Sequence, residues 1–235
     1  MPNPKKLDIS PSISILVAGV TIAGAILITH FFPSGAPVVK GDAQNTEPTM
    51  QQQMSPTLYA ALAKQFGVDT TKYASCVDNK TYQAKIDAET AEAQKAGGQG
   101  TPFTVVLDTK TNKMLPISGA LPYEQLKAAI ASVNTQGTAV TIRKPSDTDH
   151  IIGSPTAPIV LVEYSDFQCP YCQMIHPDLQ KIVSESNGQI AWVYRNFPLY
   201  QIHPQATPAA NAAECIAEQL GNTGFWKFAN TIFEG

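Results

Sequence analysis

Two cysteines separated by two residues are the side chains in this sequence with the clearest potential for chemistry. Cys169 and Cys172 lie in "DFQCPYCQMIHP" (166–177), where the apolar run "IVLVEY" (159–164) gives way to a helical pattern. Pro170 suits the first turn of a helix, because its fixed φ is helical and no N–H is needed there. The pattern therefore predicts a strand-to-helix junction, with Cys169 at the helix N-cap and Cys172 one turn later.

A thiol at a helix N-terminus is expected to have a lowered pKa, because the unpaired N–H groups and the helix dipole stabilise a thiolate. A stabilised thiolate favours the dithiol and makes the disulfide more oxidising. The alternative is half of a zinc site. Cys76 and Cys215 form no second Cys-x-x-Cys pair, and His176 is only one helical turn from Cys172. The spacing thus favours a redox couple, with no metal and no other cofactor.

The bulk properties limit the function classes further. The chain has 235 residues, 43% of them hydrophobic, so it is long enough to bury a sizeable core. Its net charge is −3, which gives no argument for a nucleic-acid partner. Four cysteines are too few for a disulfide scaffold, but an even number suits two bridges in an oxidising compartment.

The N-terminal region predicts a membrane anchor. The stretch Ile13–Phe32 contains no Asp, Glu, Lys or Arg, and as a helix it would span about 30 Å, the thickness of a bilayer core. Lys5 and Lys6 precede it, which favours residues 1–12 in the cytoplasm and the rest outside. A cleaved signal peptide is the alternative. Residues 33–54 are rich in Pro, Gly, Gln, Thr and Ser, as in a flexible tether.

The apolar periodicity after the tether predicts an α/β domain over residues 55–235. Residues 159–197 read as a strand, a helix and a second strand, which is a βαβ unit with the cysteines at its first junction. The predicted helices cover 56–66, 69–96 (one or two), 121–133, about 170–186 and about 205–234, the last interrupted near 221–224. The predicted strands cover 103–107, 114–118, a short segment at 140–143, 159–164 and 189–197.

Several segments carry a resemblance to a known family. "GSPTAPIVLVEYSDFQCPYCQMIHPDLQKI", with "WVYRNFPL" and "HPQATPAANAAECIAEQLGNTGFWKFANTIF" after it, resembles the first half of a DsbA-family thiol–disulfide oxidoreductase. The region from "LYAALAKQFG" through "GQGTPFTVVLD" to "LPYEQLKAAI" resembles its second half. The resemblance implies a thioredoxin-like fold with a helical insertion. Residues 55–133 would correspond to the family's C-terminal half, and residues 150–235 to its N-terminal half.

At the matching positions the resemblance also implies roles. Cys169 would be the exposed attacking cysteine and Cys172 its buried partner. Thr101 and Pro102 would form the family's cis-proline loop, which packs against the disulfide and offers backbone hydrogen bonds to a bound substrate chain. Tyr171 occupies the variable dipeptide between the cysteines, after Pro170, and would influence substrate contact and redox potential.

Two acidic residues precede the cysteines. Glu163 matches an acidic position buried beneath the family's active site and stands in an apolar run, where an unpaired carboxylate is costly. A raised pKa and proton exchange with Cys172 are the favoured interpretation; the alternative is a side chain that reaches solvent at the strand end. Asp166 lies nearer the surface by pattern, where it would tune the local field.

The remaining cysteines fall in segments that resemble the helical insertion. The resemblance implies a structural disulfide between Cys76 and Cys215, as in some family members. On the chain-entropy model it would contribute roughly 5 kcal/mol at most. Two separate buried thiols are the alternative.

The two halves occur in reverse order relative to the family. A circular permutation cut in the helical insertion and joined through residues 134–158 would explain this, since that connector can stretch to roughly 80 Å. A swapped dimer, or an order created when the sequence was assembled, are the alternatives.

Together these features predict a membrane-anchored, extracytoplasmic enzyme that introduces disulfides into reduced exported proteins. By resemblance, a membrane redox partner linked to quinones would reoxidise it. The alternatives are a reductase or isomerase kept reduced by a partner, and a non-catalytic module that binds extended peptides.

Overall fold

The computed structural model describes residues 53–139 and 141–235. The predicted anchor at Ile13–Phe32, the preceding residues 1–12 and all but the end of the 33–54 tether lie outside the described residues. Among the residues that are described, no helix is both long and apolar enough to cross a bilayer.

A six-stranded sheet forms the centre of the described domain. In sheet order the strands are β3, β2, β1, β5, β6 and β4. The β5–β6 pair is parallel, and the other neighbouring pairs are antiparallel. The bounds are Phe103–Asp108 for β1, Lys113–Ser118 for β2, Thr138–Ala139 for β3, His150–Ile152 for β4, Ile159–Ser165 for β5 and Ile190–Asn196 for β6.

Helices pack on both faces of this sheet. Their bounds are Pro56–Gln65 for α1, Thr70–Asp78 for α2, Gln83–Lys95 for α3, Tyr123–Gln136 for α4, Pro170–Glu185 for α5 and Ala206–Glu234 for α6. Local sequence sets several ends: the Ser55 hydroxyl accepts from the Leu58 N–H, and the Asp69 carboxylate caps α2 in the same way. Within α6, Gly221 has a φ of 65°, a conformation that favours glycine, and the helix kinks there.

The two faces of the sheet contribute to two separate hydrophobic cores. Side chains alternate between the faces along each strand, so residues i and i+2 belong to the same core. On β5, Leu161 joins a core with Trp192 and the apolar sides of α4, α5 and α6, on which α1 and α2 also pack. Val160 and Val162 join the opposite core, which α3 covers. Helices on both faces of the sheet confirm the α/β prediction.

The structure contains a disulfide between Cys76 on α2 and Cys215 on α6, two residues that are 139 positions apart in sequence. This confirms the predicted pairing and excludes two separate thiols. The bridge ties together helices from opposite ends of the described chain.

The segment 134–158 is the main departure from the sequence prediction. The short strand expected at 140–143 is wrong, because the strand in this region is β3, at Thr138–Ala139. Ile142 is instead buried in a core, and the Arg143 side chain bonds to the buried carboxylate of Glu89. Val140 itself lies outside the described residues. Strand β4, at the other end of this connector, was not predicted, because three residues are too few to show a periodic pattern.

Candidate active site

The predicted strand-to-helix junction is present, with the cysteines where the pattern placed them. Cys169 is the N-cap of α5, with extended backbone (φ −77°, ψ 122°), and Pro170 follows in the first helical turn. The N–H groups of Cys172 and Gln173 both lie 3.1 Å from the Cys169 carbonyl oxygen. Both cysteines are free thiols, so the structure represents the dithiol state.

The expectation of an exposed attacking cysteine is wrong for this structure. Cys169 is 3% exposed, and Cys172 is fully buried. The physical reason is the neighbouring Thr101–Pro102 loop, which lies against Cys169: Sγ of Cys169 is 3.4 Å from the Thr101 carbonyl oxygen. Only an edge of the Cys169 side chain is therefore accessible in the dithiol state.

The sheet brings this loop to the cysteines. Strand β1 pairs with β5 in antiparallel register, so its first residue, Phe103, lies opposite Tyr164 at the end of β5. The Thr101–Pro102 peptide bond, directly before β1, is cis, as the resemblance implied. Gly98 packs so closely under Phe103 that an added Cβ would lie 2.9 Å from its ring, so glycine is required there.

The environment gives the two thiols opposite acidities. A hydrogen bond from Cys172 is the largest cause of the lowered pKa of Cys169, at about 6, and backbone N–H groups of α5 add to it. Burial raises the pKa of Cys172 well above its usual value, and the negative charges of Glu163 and Cys169 add to that rise. At neutral pH the dithiol therefore holds one thiolate, on Cys169, and one proton, on Cys172.

Glu163 on β5 is close enough to both cysteines to interact with their charges, and it is 1% exposed, so the interpretation in which it reaches solvent is wrong. Its carboxylate accepts from the Ser165 hydroxyl at 2.7 Å and from the Trp192 indole N–H at 3.0 Å. Burial raises the pKa of Glu163 to about 7, although these two hydrogen bonds oppose the rise. The predicted raised pKa is confirmed, and its cause is burial without a cation.

Asp166 is not near the surface, contrary to the sequence pattern. It is 1% exposed, and its carboxylate accepts from the backbone N–H groups of Gln168 and Leu199 and lies 2.7 Å from Nδ1 of His203. These contacts fix the turn before Cys169 against the loop that follows β6. The carboxylate therefore organises backbone, a role that only the folded chain reveals.

Exposed apolar side chains lie on α5 next to the cysteines and in the loop that follows β6. Tyr171 and Met174 on the first turns of α5 are 59% and 60% exposed. Tyr200 and Ile202, in the loop held by Asp166, are 66% and 69% exposed. We call these four residues the apolar rim. Of these four residues the sequence indicated Tyr171 alone, because Tyr171 lies between the cysteines and no local pattern marks the loop residues.

The zinc alternative has no supporting cluster in the described part of the chain, where no three His, Cys, Asp or Glu side chains come together as metal ligands. His176 is buried on α5, beside Trp192, and its Nε2 lies 3.0 Å from the Asn230 amide oxygen. Burial lowers its pKa. His176 therefore belongs to the core between α5 and α6.

A second buried polar group, which was not predicted from the sequence, lies beside β6, next to the edge strand β4. Arg195, fully buried, donates to Asp149 at 2.9 Å and to Glu92 at 2.8 Å. We call its members the charge network: Lys85, Glu89, Glu92, Arg143, Asp149, His150, Arg195, Asn196 and Glu214. The available signal was an arginine within the apolar strand 189–197, since a buried cation requires carboxylate partners.

The pKa directions in the charge network reflect this pairing. Burial acts to raise the pKa of Asp149, but the hydrogen bond and charge of Arg195 outweigh it and hold the pKa below its usual value. The pKa of Glu214 is likewise lowered against burial, by His150 and Lys85. The network joins α3, α6, β4 and β6 to the connector, so its evident role is structural.

Comparison with protein families identifies two matching regions. Residues 47–131 match the family model of the DSBA-like thioredoxin domain, and residues 145–235 match a thioredoxin family model. The two matches lie on either side of the connector.

Individual relatives match shorter parts of the chain. Na⁺/H⁺ antiporter NhaA 1 of Mycolicibacterium vanbaalenii is 39% identical over 88 residues, which is 37% of this chain and 14% of that protein. NhaA 1 of Salinispora arenicola is 32% identical over 129 residues, 55% of this chain and 19% of the antiporter. The chain thus spans less than a fifth of the length of these curated relatives.

Among solved structures, alpha-DsbA1 of Wolbachia pipientis is similar at 25% identity and a TM-score of 0.32, covering 39% of this chain and 44% of that one. The DSBA-like match before the connector and the thioredoxin match after it, with a Cys-x-x-Cys helix start facing a cis-proline loop, support a thioredoxin-fold oxidoreductase of the DsbA type.

Proposed function

We propose that this protein is a thiol–disulfide oxidoreductase that introduces disulfides into exported proteins through Cys169 and Cys172. The observation that carries the proposal is the split acidity of the pair, with the pKa of Cys169 at about 6 and that of Cys172 raised. A stable thiolate on Cys169 makes it a good leaving group and stabilises the dithiol, so the disulfide becomes a stronger oxidant.

The size of this effect follows from linkage. At pH 7, a thiol of pKa about 6 is stabilised as thiolate by about 1.4 kcal/mol relative to an ordinary cysteine, because it is almost fully ionised there. For a two-electron couple this raises the reduction potential of the disulfide by about 30 mV, which makes it a stronger oxidant. The contribution favours the oxidase direction over the reductase direction.

The reaction transfers two electrons and two protons from a substrate dithiol to the Cys169–Cys172 disulfide. A substrate thiolate attacks Sγ of Cys169, the Cys169–Cys172 bond breaks, and its electron pair remains on Cys172, which Glu163 protonates. The second substrate thiolate then attacks the substrate sulfur of the mixed disulfide and releases Cys169 as a thiolate. The dithiol passes its electrons to a membrane redox partner linked to quinones, which restores the disulfide.

The surroundings of Cys169 fit a polypeptide substrate. The apolar rim offers exposed aromatic and aliphatic contacts, and exposed apolar surface of this kind is typical of protein interaction sites. The Thr101–Pro102 loop beside Cys169 offers backbone groups to an extended chain, as the family resemblance implies. The antiporter relatives match over less than a fifth of their length, so ion transport is not part of the proposal.

We also propose an extracytoplasmic location with residues 13–32 as anchor. The Cys76–Cys215 disulfide supports an oxidising compartment, because such bridges are rare in proteins of reducing compartments. The apolar length of the segment and the preceding lysines support anchoring.

Finally, we propose that the domain is a circular permutation that closes within one chain. Three contacts support it: β1 pairs with β5, the Thr101 carbonyl reaches the Cys169 thiol, and Arg143 and Asp149 bind the connector into the charge network. Light scattering tests this directly. A monomer with full activity is expected, whereas activity confined to a dimer would favour exchanged halves.

The function is tested by oxidation of a reduced, unfolded disulfide protein with the full-length chain. Cys169→Ser should abolish oxidation, and Cys172→Ser should trap a mixed disulfide through Cys169. The double variant Cys76→Ala/Cys215→Ala is the matched control, because it removes two cysteines away from the site and should retain activity. Unchanged oxidation by Cys169→Ser would instead favour a non-catalytic peptide-binding module.

The direction of the reaction is tested by equilibration with glutathione. A potential well above that of thioredoxin, at or above roughly −200 mV, is expected for an oxidase. A potential near thioredoxin's, at roughly −270 mV, would contradict the oxidase and favour a reductase or isomerase.

A further inference from the structure

The pocket beneath Cys172 contains more polar groups than the Glu163 carboxylate. Glu163 is the register partner of Thr104 on β1 and of Tyr194 on β6. Ser165 follows two residues later on the same strand. Directly paired residues and residues i and i+2 share one face of a sheet, so these four side chains lie together on the face that α5 covers. All four, like Cys172, are at least 99% buried.

Ser165 is the member that is hydrogen-bonded to Glu163 and also influences the acidity of Cys172. Its hydroxyl lies 2.7 Å from Oε1 of Glu163. It also acts on the Cys172 thiol, whose pKa it lowers against the stronger effect of burial. A serine hydroxyl carries one donor and two acceptor sites, so it can accept a proton from one neighbour while it donates to another.

The other neighbours of Glu163 do not offer such a route. Its second oxygen accepts from the Trp192 indole, which is a donor only and cannot pass a proton onward. The hydroxyls of Thr104 and Tyr194 are buried on the same face, but neither forms a hydrogen bond with Glu163 in the described structure. Burial raises the pKa of Tyr194 well above its usual value, so its phenol stays neutral.

We propose that Ser165 carries the proton between Glu163 and Cys172, an inference that rests on the oxidoreductase function proposed above. When a substrate thiolate bonds to Cys169, the Cys169–Cys172 bond breaks and leaves its electron pair on Cys172. The Glu163 proton then moves to the Ser165 oxygen while the Ser165 proton moves to Cys172. The step ends with a Cys172 thiol, a Glu163 carboxylate and Ser165 donating to that carboxylate.

The relay is tested on the oxidised full-length protein by its opening with reduced glutathione, followed by stopped-flow tryptophan fluorescence. Ser165→Ala should slow the opening at pH 7 by at least about tenfold, since general acid catalysis contributes roughly 10²- to 10⁴-fold. Ser165→Thr keeps a hydroxyl and should stay within about threefold of wild type. Thr104→Val is the matched control: it removes a hydroxyl that faces Glu163 without bonding to it and should leave the rate unchanged.

A double-mutant cycle separates a relay from a packing effect. Glu163→Gln removes the proton donor and should slow the opening by itself. Adding Ser165→Ala to Glu163→Gln should produce no further loss, because the serine then has no proton to carry. Alkylation of Cys169 by iodoacetamide in the dithiol state should stay within about twofold of wild type in Ser165→Ala, because Cys169 is not on the route.

Three results would overturn the relay: a wild-type opening rate in Ser165→Ala, additive losses in the double variant, or an equal slowing of Cys169 alkylation. Failure of the wild-type disulfide to react with glutathione at all would instead overturn the proposed oxidoreductase function, and the relay with it. The two failures are therefore distinguishable in the same set of measurements.

Discussion

The pocket beneath Cys172 that holds Glu163, Ser165 and Trp192, here called the redox pocket, and the charge network both bury carboxylates, yet they give them opposite acidities. In the redox pocket, Glu163 has only neutral donors, the Ser165 hydroxyl and the Trp192 indole, and its pKa rises to about 7. In the charge network, Asp149 is in direct contact with the Arg195 guanidinium, and its pKa falls below its usual value despite burial. The two pKa values shift in opposite directions because Asp149 has a buried cation beside it, whereas Glu163 has none.

Glu89 shows that a carboxylate can belong to the charge network and still have a raised pKa. Burial raises its pKa to about 7, although Arg143 lies 3.1 Å away and Asn196 donates to it. Arg143 is shared with Asp149 and is partly exposed, so solvent weakens its effect on Glu89. A fully buried cation such as Arg195 determines the acidity of its partner, whereas neutral donors leave a carboxylate able to exchange a proton near pH 7.

The largest test of this contrast removes the cation. Arg195→Met should lower the free energy of unfolding by about 3–5 kcal/mol, because Asp149 and Glu92 lose their buried partner. Urea denaturation of the oxidised protein at pH 7 measures the loss. Adding Asp149→Asn should recover part of it, since an uncharged side chain no longer needs compensation. A loss below about 1 kcal/mol would show that the network contributes little net stability.

A smaller effect is expected from removing the uncompensated charge. Glu163 has a folded-state pKa raised above its unfolded value, so its contribution to stability is complete below about pH 4.5 and is lost as the pH rises through about 7. Glu163→Gln should therefore be more stable than wild type at pH 8 by roughly 1–3 kcal/mol, with the difference vanishing near pH 4.5.

Denaturation of the reduced proteins at several pH values gives this difference directly. Comparison with wild type at each pH cancels the titration of Cys169 and Glu89. Glu89→Gln is the matched variant in the charge network, with the same direction expected over the same range. Equal stability of Glu163→Gln and wild type from pH 5 to 8 would contradict the raised pKa of Glu163.

The smallest effect concerns the thiolate. The hydrogen bond from Cys172 is the largest cause of the low pKa of Cys169, so Cys172→Ala should raise that pKa by about one unit, or about 1.4 kcal/mol. Thiolate absorbance at 240 nm during a pH titration measures it. Cys172→Ser keeps a donor and should shift the pKa less. Identical pKa values in all three proteins would assign the low value to the helix N-terminus alone.

Local sequence determined the parts of this protein that depend on neighbours in the chain. The apolar run 159–164, Pro170 and the cysteine spacing predicted β5, α5 and the N-cap position of Cys169, because helix starts and strand alternation are encoded within a few residues. A carboxylate in that apolar run predicted the raised pKa of Glu163. The family resemblance supplied the cis bond at Pro102 and the pairing of Cys76 with Cys215.

Only the tertiary structure decided what covers each group and which charges meet. Cys169 is buried because the Thr101–Pro102 loop reaches it from a distant part of the chain, and Asp166 is buried because the loop after β6 closes over it. Arg195 is stable in a core strand because carboxylates from α3 and the connector converge on it. Burial and electrostatic compensation are set by non-local neighbours, and local sequence patterns do not contain them.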